Sequence, residues 1–389
     1  MIKSTSFSKF DSNRVPSPCF VVDEIAVEAN LKILARVQQE SGAKILLALK
    51  AFSMFSLAPL INRYLSGVCA SGLHEARLGA EEFNGEVHTF SAAFKESELN
   101  EILTLSDHVV FNSFNQWQRF QPILQASRKQ YPNIQFGLRV NPMHSEGAAA
   151  IYDPCAPGSR LGIPHGEFLG QSLAGISGIH FHTLCEQGFE PLARTLDVIE
   201  RQFSEVLPTL DWVNFGGGHH ITSQEYDVDA LIARIQAFQQ KYGLQVYLEP
   251  GEAIAIHTGV LISEVLDLIK NEEEIAILDT SATCHMPDTI EMPYRAEIFG
   301  AAEKGKKTFD YRLGGQTCLA GDVMGDYSFA HPLKVGQRLV FDDMSHYTMV
   351  KTTTFNGIGL PSIMLWNSKS DELKEIRKFG YNDFRNRLS

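Results

Sequence analysis

Short apolar runs recur at regular intervals along the first two thirds of the chain: Lys44–Leu49, Val68–Ala70, Val87–Phe90, His108–Phe111, Ile134–Val140, Gly178–His182, Trp212–Phe215 and Gln245–Leu248. Near-continuous apolar runs of this length predict strands buried on both faces. Between most of them the apolar positions change to a spacing of three and four, which predicts amphipathic helices over Leu73–Glu82, Glu96–Leu105, Gln116–Gln130, Phe189–Leu207 and Val228–Tyr242. Eight strands alternating with helices define a parallel (β/α)8 TIM-like barrel. Ahead of it, Pro16 to Asp23 reads as a turn and a short strand, followed by a helix from Glu24 to Glu40 with Ile25, Leu31, Leu34 and Val37 on its apolar side. Beyond about Thr258 the pattern changes. Val260–Leu268, Glu274–Asp279, Phe309–Leu313, Arg338–Phe341, Tyr347–Phe355 and Ile363–Trp366 read as strands separated by Gly, Asp and Asn, a mostly antiparallel β domain. The charged tail Asp371–Lys378 reads as a short solvated helix. The predicted organisation is an N-terminal strand and turn over 1–29 that joins the β domain, a barrel over 30–257 and the β domain over 258–389.

A chain of 389 residues exceeds one ordinary core, which agrees with two domains. No apolar run is long enough to cross a bilayer, and Met1 to Ser6 lacks the apolar core of a signal peptide. The six cysteines, Cys19, Cys69, Cys155, Cys185, Cys284 and Cys318, are scattered without metal-ligand spacing. These features predict a soluble, reduced, cytoplasmic protein without a metal or a membrane partner. The formal net charge of −12 argues against nucleic acid and suits a cationic substrate.

Active-site residues of such barrels stand at the C-terminal ends of the strands. Here strand one ends at Lys50, strand six at His182, strand seven runs into Gly216-Gly217-Gly218, and strand eight ends in Glu249-Pro250-Gly251. Taken singly, each has a plain reading: a snorkelling lysine, a structural histidine, two turns. Their order and position together are more specific. Partial burial would lower the pKa of the Lys50 amine, and a neutral amine attacks a carbonyl to form a Schiff base. Successive glycines expose backbone N–H groups that can cradle a phosphate. A carboxylate facing a pyridine nitrogen keeps it protonated and makes the ring an electron sink, and an imidazole can stack on the ring. That set describes pyridoxal 5'-phosphate.

The chain resembles the fold-type III pyridoxal-phosphate decarboxylases, the family of the ornithine, arginine and diaminopimelate decarboxylases, whose fold alanine racemase shares more distantly. The likeness covers nearly the whole chain and rests on Ala48-Leu49-Lys50-Ala51, Phe181-His182-Thr183-Leu184-Cys185-Glu186, Phe215-Gly216-Gly217-Gly218, Glu249-Pro250-Gly251-Glu252, His285-Met286-Pro287-Asp288, Met292-Pro293-Tyr294-Arg295 and Thr317-Cys318-Leu319-Ala320-Gly321-Asp322. Within the family it is most similar to the branch acting on carboxynorspermidine and carboxyspermidine. The resemblance implies that Lys50 is the Schiff-base lysine and that His182 stacks on the cofactor. It implies that Gly216, Gly217 and Gly218 hold the phosphate with Tyr347 nearby, and that Glu249 meets the pyridinium. Cys318 would return a proton after carbon dioxide leaves. In relatives this cysteine comes from the neighbouring subunit, which implies a homodimer with shared sites.

Three departures separate this chain from the common decarboxylases of the family. Relatives commonly have arginine where this chain has Glu252, a glycine-serine pair where it has Thr183-Leu184-Cys185, and an acid where it has Leu319. The first two bear on the phosphate contacts, and the third removes the usual partner of a distal amine. An acid gained at 252 and one lost at 319 suggest that recognition has moved. A long carboxylated polyamine carries several ammonium groups, and buried cations need carboxylates. Glu252 and Asp288 are the predicted amine-binding residues. The rival substrates on the same fold are arginine, ornithine and diaminopimelate.

Overall fold

The computed structural model describes residues 3–147 and 150–389; Met1 and Ile2 of the N-terminal segment lie outside them. The chain forms two compact units, Ala29–Ile254 and Met1–Glu28 with Ala255–Ser389.

In the first unit eight parallel strands close into a barrel: Lys44–Ala48, Gly67–Ala70, Glu86–Phe90, His108–Phe111, Gln135–Asn141, Gly178–His180, Trp212–Asn214 and Gln245–Leu248. Each pairs in parallel with its sequence neighbour, and the eighth pairs with the first, with Tyr247 opposite Lys44. A two-residue strand, Ile163–Pro164, adds to the end of the fifth. The predicted barrel is therefore present. Its interior is filled by side chains such as Leu46, Val110, Trp212 and Tyr247, as expected of a packed core rather than a pore. The helix expected over Gln116–Gln130 is two helices, Phe114–Arg119 and Gln121–Gln130. Pro122, in the first turn of the second, has no N–H to continue the first.

The second unit is built on a mostly antiparallel sheet of nine strands that includes Cys19–Asp23. That N-terminal strand lies between Gly259–Asn271, antiparallel, and Ser362–Asn367, parallel. Cys19, Val21, Val260, Ile262, Met364 and Trp366 pack with Phe7 and Val15 on one of its faces. Ala301–Glu303 and Val323–Phe329 are strands that the apolar pattern did not single out.

Two sequence expectations fail in this unit. Tyr347–Phe355 is no strand: Tyr347–Val350 forms one helical turn. The segment beyond it is anchored to two short helices, Ala282–His285 and Asp288–Glu291, by Thr353 N–H to the Cys284 carbonyl and by Lys351 to Asp288 and Glu291. The tail Glu372–Arg377 is an edge strand rather than a helix. Leu373 and Ile376 are three apart, which mimics a helical face. The register slips between Ile363–Arg377 and Met364–Glu375, so Ile376 is the extra residue of a bulge.

Candidate active site

The C-terminal ends of the barrel strands gather the predicted residues of this unit. Strand one stops at Ala48, and the chain turns at once, with Ala51 and Phe52 N–H both donating to the Ala48 carbonyl. Lys50 rides on this turn and is exposed. The partial burial expected of it is absent, because the turn lifts the side chain clear of the strand that buries Leu46 to Leu49. Its positive charge is nevertheless felt at Cys69, His180, His182 and Cys185, four residues from two other strand ends.

Strand six ends at His180, so His182 stands two residues beyond it. Phe181 N–H still donates to the Asn214 carbonyl at 3.0 Å, which keeps the backbone extended and puts His180 and His182 on one face. Gly217 N–H donates to His182 Nδ1 at 2.9 Å. An imidazole nitrogen that accepts a hydrogen bond carries no proton, so the His182 proton lies on Nε2. Burial, with the positive charges of Lys50 and Arg139, holds the His182 pKa well below its ordinary value. The ring is neutral at neutral pH.

Glu249 follows strand eight. His180 Nε2 lies 3.0 Å from its Oε2, and Asn214 Nδ2 donates to its Oε1 at 2.8 Å. Burial opposes the charge, but His180, His88 and the Asn214 hydrogen bond outweigh it and hold the carboxyl at about 2. His180 itself is pushed down by burial, against the pull of Glu249.

The glycine turn is built by close packing. A Cβ at Gly217 would stand 2.1 Å from the Glu249 carbonyl oxygen, and one at Gly218, where φ is +83°, would stand 1.9 Å from that of Leu184. Only glycine lets three strand ends approach this closely. Gly216 N–H donates to Asn214 Oδ1 at 2.8 Å and Gly217 N–H to His182. Two of the three amides are thus committed internally; the Gly218 N–H has no hydrogen-bond partner among the described residues.

Glu252 faces His220, with Oε2 3.3 Å from Nε2, and its charge reaches Cys185. The other predicted residues lie in the second unit. Cys318 is exposed on the loop 315–322, with its N–H bonded to Asn356 Oδ1 at 2.7 Å. Buried Asp322 pins that loop by accepting from Ser281 Oγ, Thr317 Oγ1 and the N–H groups of Thr283 and Thr317. Tyr347 opens its helical turn, half-buried. Asp288 shares the Lys351 ammonium with Glu291.

Sequence reasoning missed His180, Asn214 and Arg139. Each is a polar residue inside an otherwise apolar barrel run, and that was the available signal. Among the described residues one cluster, Glu86, His88 and His108, has spacing suited to a metal ion. Its imidazoles stack with centroids 3.8 Å apart and planes 19° from parallel. Their in-plane lone pairs therefore run side by side instead of converging, and Glu86 already carries the Lys44 ammonium.

This geometry defines the class. A barrel with an open strand-end amine, an ionised buried acid, a neutral imidazole and a glycine turn has a group for each part of pyridoxal phosphate. The acid decides the fit, because a carboxylate kept charged in a buried setting suits a ring nitrogen that must stay protonated. Residues 19–345 match the family described as pyridoxal-dependent decarboxylase, C-terminal sheet domain. The chain belongs to this family, and pyridoxal phosphate is its cofactor. It is 46% identical over 382 residues to a carboxynorspermidine/carboxyspermidine decarboxylase of Campylobacter jejuni, covering 95% of this chain and 98% of that one. It is 47% identical over 376 residues to a carboxyaminopropylagmatine decarboxylase of Synechocystis, covering 96% of each. The crystal structure of carboxynorspermidine decarboxylase from Campylobacter jejuni, complexed with norspermidine, superposes with a TM-score of 0.87 at 45% identity, covering 96% of this chain and all of that one.

Proposed function

We propose that this enzyme removes the carboxylate of carboxynorspermidine, carboxyspermidine or both, giving norspermidine and spermidine. The observation that carries the reading is the 46% identity, over nearly both full lengths, to a relative of that activity. Leu319, where decarboxylases of shorter basic amino acids place an acid, agrees with it. The bound cofactor supplies an electron sink for the pair left behind when carbon dioxide departs. Lys50 would hold the cofactor through its aldehyde. Glu249, a buried carboxylate, would keep the ring nitrogen protonated. His182, with its proton on Nε2, would pack against the ring. Gly218 N–H and Tyr347 would hold the phosphate. Cys318, from the second subunit of a cytoplasmic homodimer, delivers a proton from Sγ to the carbon that lost its carboxylate. Glu252 and Asp288 receive the ammonium groups. Lys351 already occupies Asp288 with an ammonium, so a substrate amine would take the place of an internal one.

The Synechocystis relative supports a second reading, in which the distal group is a guanidinium. The purified chain, supplied with pyridoxal phosphate, is to be given carboxynorspermidine, carboxyspermidine, carboxyaminopropylagmatine, arginine, ornithine and diaminopimelate, and carbon dioxide release measured. Turnover is expected with the first two and is abolished in Lys50→Ala. Release from the agmatine derivative alone would establish the second reading. Release only from the three amino acids would defeat both.

A further inference from the structure

Arg139 lies in the middle of barrel strand Gln135–Asn141 and is 6% exposed. Among the described residues no carboxylate stands within ion-pair distance of it. Burial lowers its pKa to about 10, against the pull of Glu249, so it remains charged at neutral pH. A buried cation with no carboxylate beside it is unfavourable, and removing that cost would take only a neutral residue. The contacts it does make converge on the site. Nη2 donates to the His182 carbonyl at 3.1 Å. The guanidinium lies 4.7 Å from the centre of the Phe90 ring. The same ring stacks on His180, with centroids 5.6 Å apart and planes 20° from parallel, and His180 in turn meets Glu249.

We propose that Arg139 is a positioning residue for the cofactor site, gripping His182 through its carbonyl and His180 through Phe90. One planar cation thereby sets both groups that the cofactor ring would meet. At 182 it fixes the peptide whose imidazole is locked by Gly217 N–H. At 180 it braces the imidazole that holds Glu249. A lysine could not do this, because a compact ammonium cannot stack flat on a ring while bonding in its own plane. The inference rests on the assignment of His182 and Glu249 to the cofactor.

The test uses the full chain loaded with pyridoxal phosphate, and Arg139→Met, Arg139→Lys, Phe90→Leu and the Arg139→Met/Phe90→Leu pair. Released cofactor, the visible circular dichroism band of bound cofactor, kcat and KM are measured. In Arg139→Met the band should weaken and kcat fall by on the order of 100-fold, the scale of a misplaced site, while KM for the amine substrate changes little. Arg139→Lys should not restore the band. Adding Phe90→Leu to Arg139→Met should cost less than Phe90→Leu costs alone, because coupled residues are not additive. A wild-type band and kcat in Arg139→Met overturn the proposal, as does full recovery in Arg139→Lys. If Arg139→Met does not fold, Phe90→Leu decides: a weakened band supports the proposal and an unchanged one overturns it. Wild-type chain that retains no cofactor would instead refute the underlying assignment.

Discussion

At the scale of single residues, Glu249 has the clearest energetic signature. Burial alone would raise a carboxyl, yet this one is held at about 2 by His180, His88 and Asn214. A carboxyl depressed in the folded state adds stability above its unfolded value near 4.3 and loses it as pH falls toward the folded value. The expected contribution is on the order of 3 kcal/mol at neutral pH, lost between about pH 4.5 and 2. Urea unfolding of the apoenzyme at stepped pH checks this: Glu249→Gln should show a shallower loss of stability over that window than wild type. An identical slope would mean that folding does not shift the Glu249 carboxyl. Because His182 is likewise pushed well below its ordinary value, neither residue should contribute a limb to the activity profile near neutrality. Lys50 shows what a sequence conveys about a residue and what it withholds. Its place at a strand end follows from the apolar run before it. Its exposure does not, because that depends on the turn closed by Ala51 and Phe52 on the Ala48 carbonyl.

At the scale of elements, the turn after strand seven is the sharpest constraint. The side chain that alanine would add at Gly217 meets the Glu249 carbonyl, and at Gly218 it meets the Leu184 carbonyl; both obstacles are backbone. Neither neighbour can rotate away, so each substitution must displace a strand end. Gly217→Ala and Gly218→Ala should each destabilise the fold by about 2–3 kcal/mol, read by chemical denaturation. Gly188→Ala, whose added methyl would meet nothing within 4 Å, is the control that should cost little. The barrel strands were legible because burial on both faces writes a continuous apolar run. Elements of the second unit were less so. Val323–Phe329 carries Gly325 and Asp326 and does not look like a strand, yet it pairs along most of its length with Phe309–Gly314, where Arg312 meets Asp326 across the ladder. The edge strand Glu372–Arg377 was misread because its bulge replaces a period of two with a spacing of three. In both cases the deciding term is pairing with a partner strand, which the strand's own residues do not record.

At the scale of the whole molecule, the residues proposed for the site are divided between the two units of the chain. Lys50, His182, the glycine turn and Glu249 belong to the unit Ala29–Ile254, whereas Cys318 belongs to the other. The sequence singled out all of them by motif, but a motif does not say which copy of the chain a residue serves. The loop that carries Cys318 is fixed from behind by buried Asp322 while leaving Cys318 and Leu319 exposed. On the proposed reading, Cys318 and Leu319 on this loop meet a surface outside their own fold. If that surface is the barrel rim of a second copy, two variants that are inactive alone should repair one another. Lys50→Ala lacks the cofactor-binding amine and Cys318→Ala lacks the proton donor. A mixed dimer of the two has one site with both defects and one with neither. After random reassortment of equal amounts, half of the dimers are mixed and half of their sites are intact, so roughly a quarter of wild-type activity should return. The measurement is carbon dioxide release after the two variants are unfolded together and refolded, against each refolded alone. Sites built within one chain would give no activity above the sum of the separate samples, because every site would still lack one of its two groups.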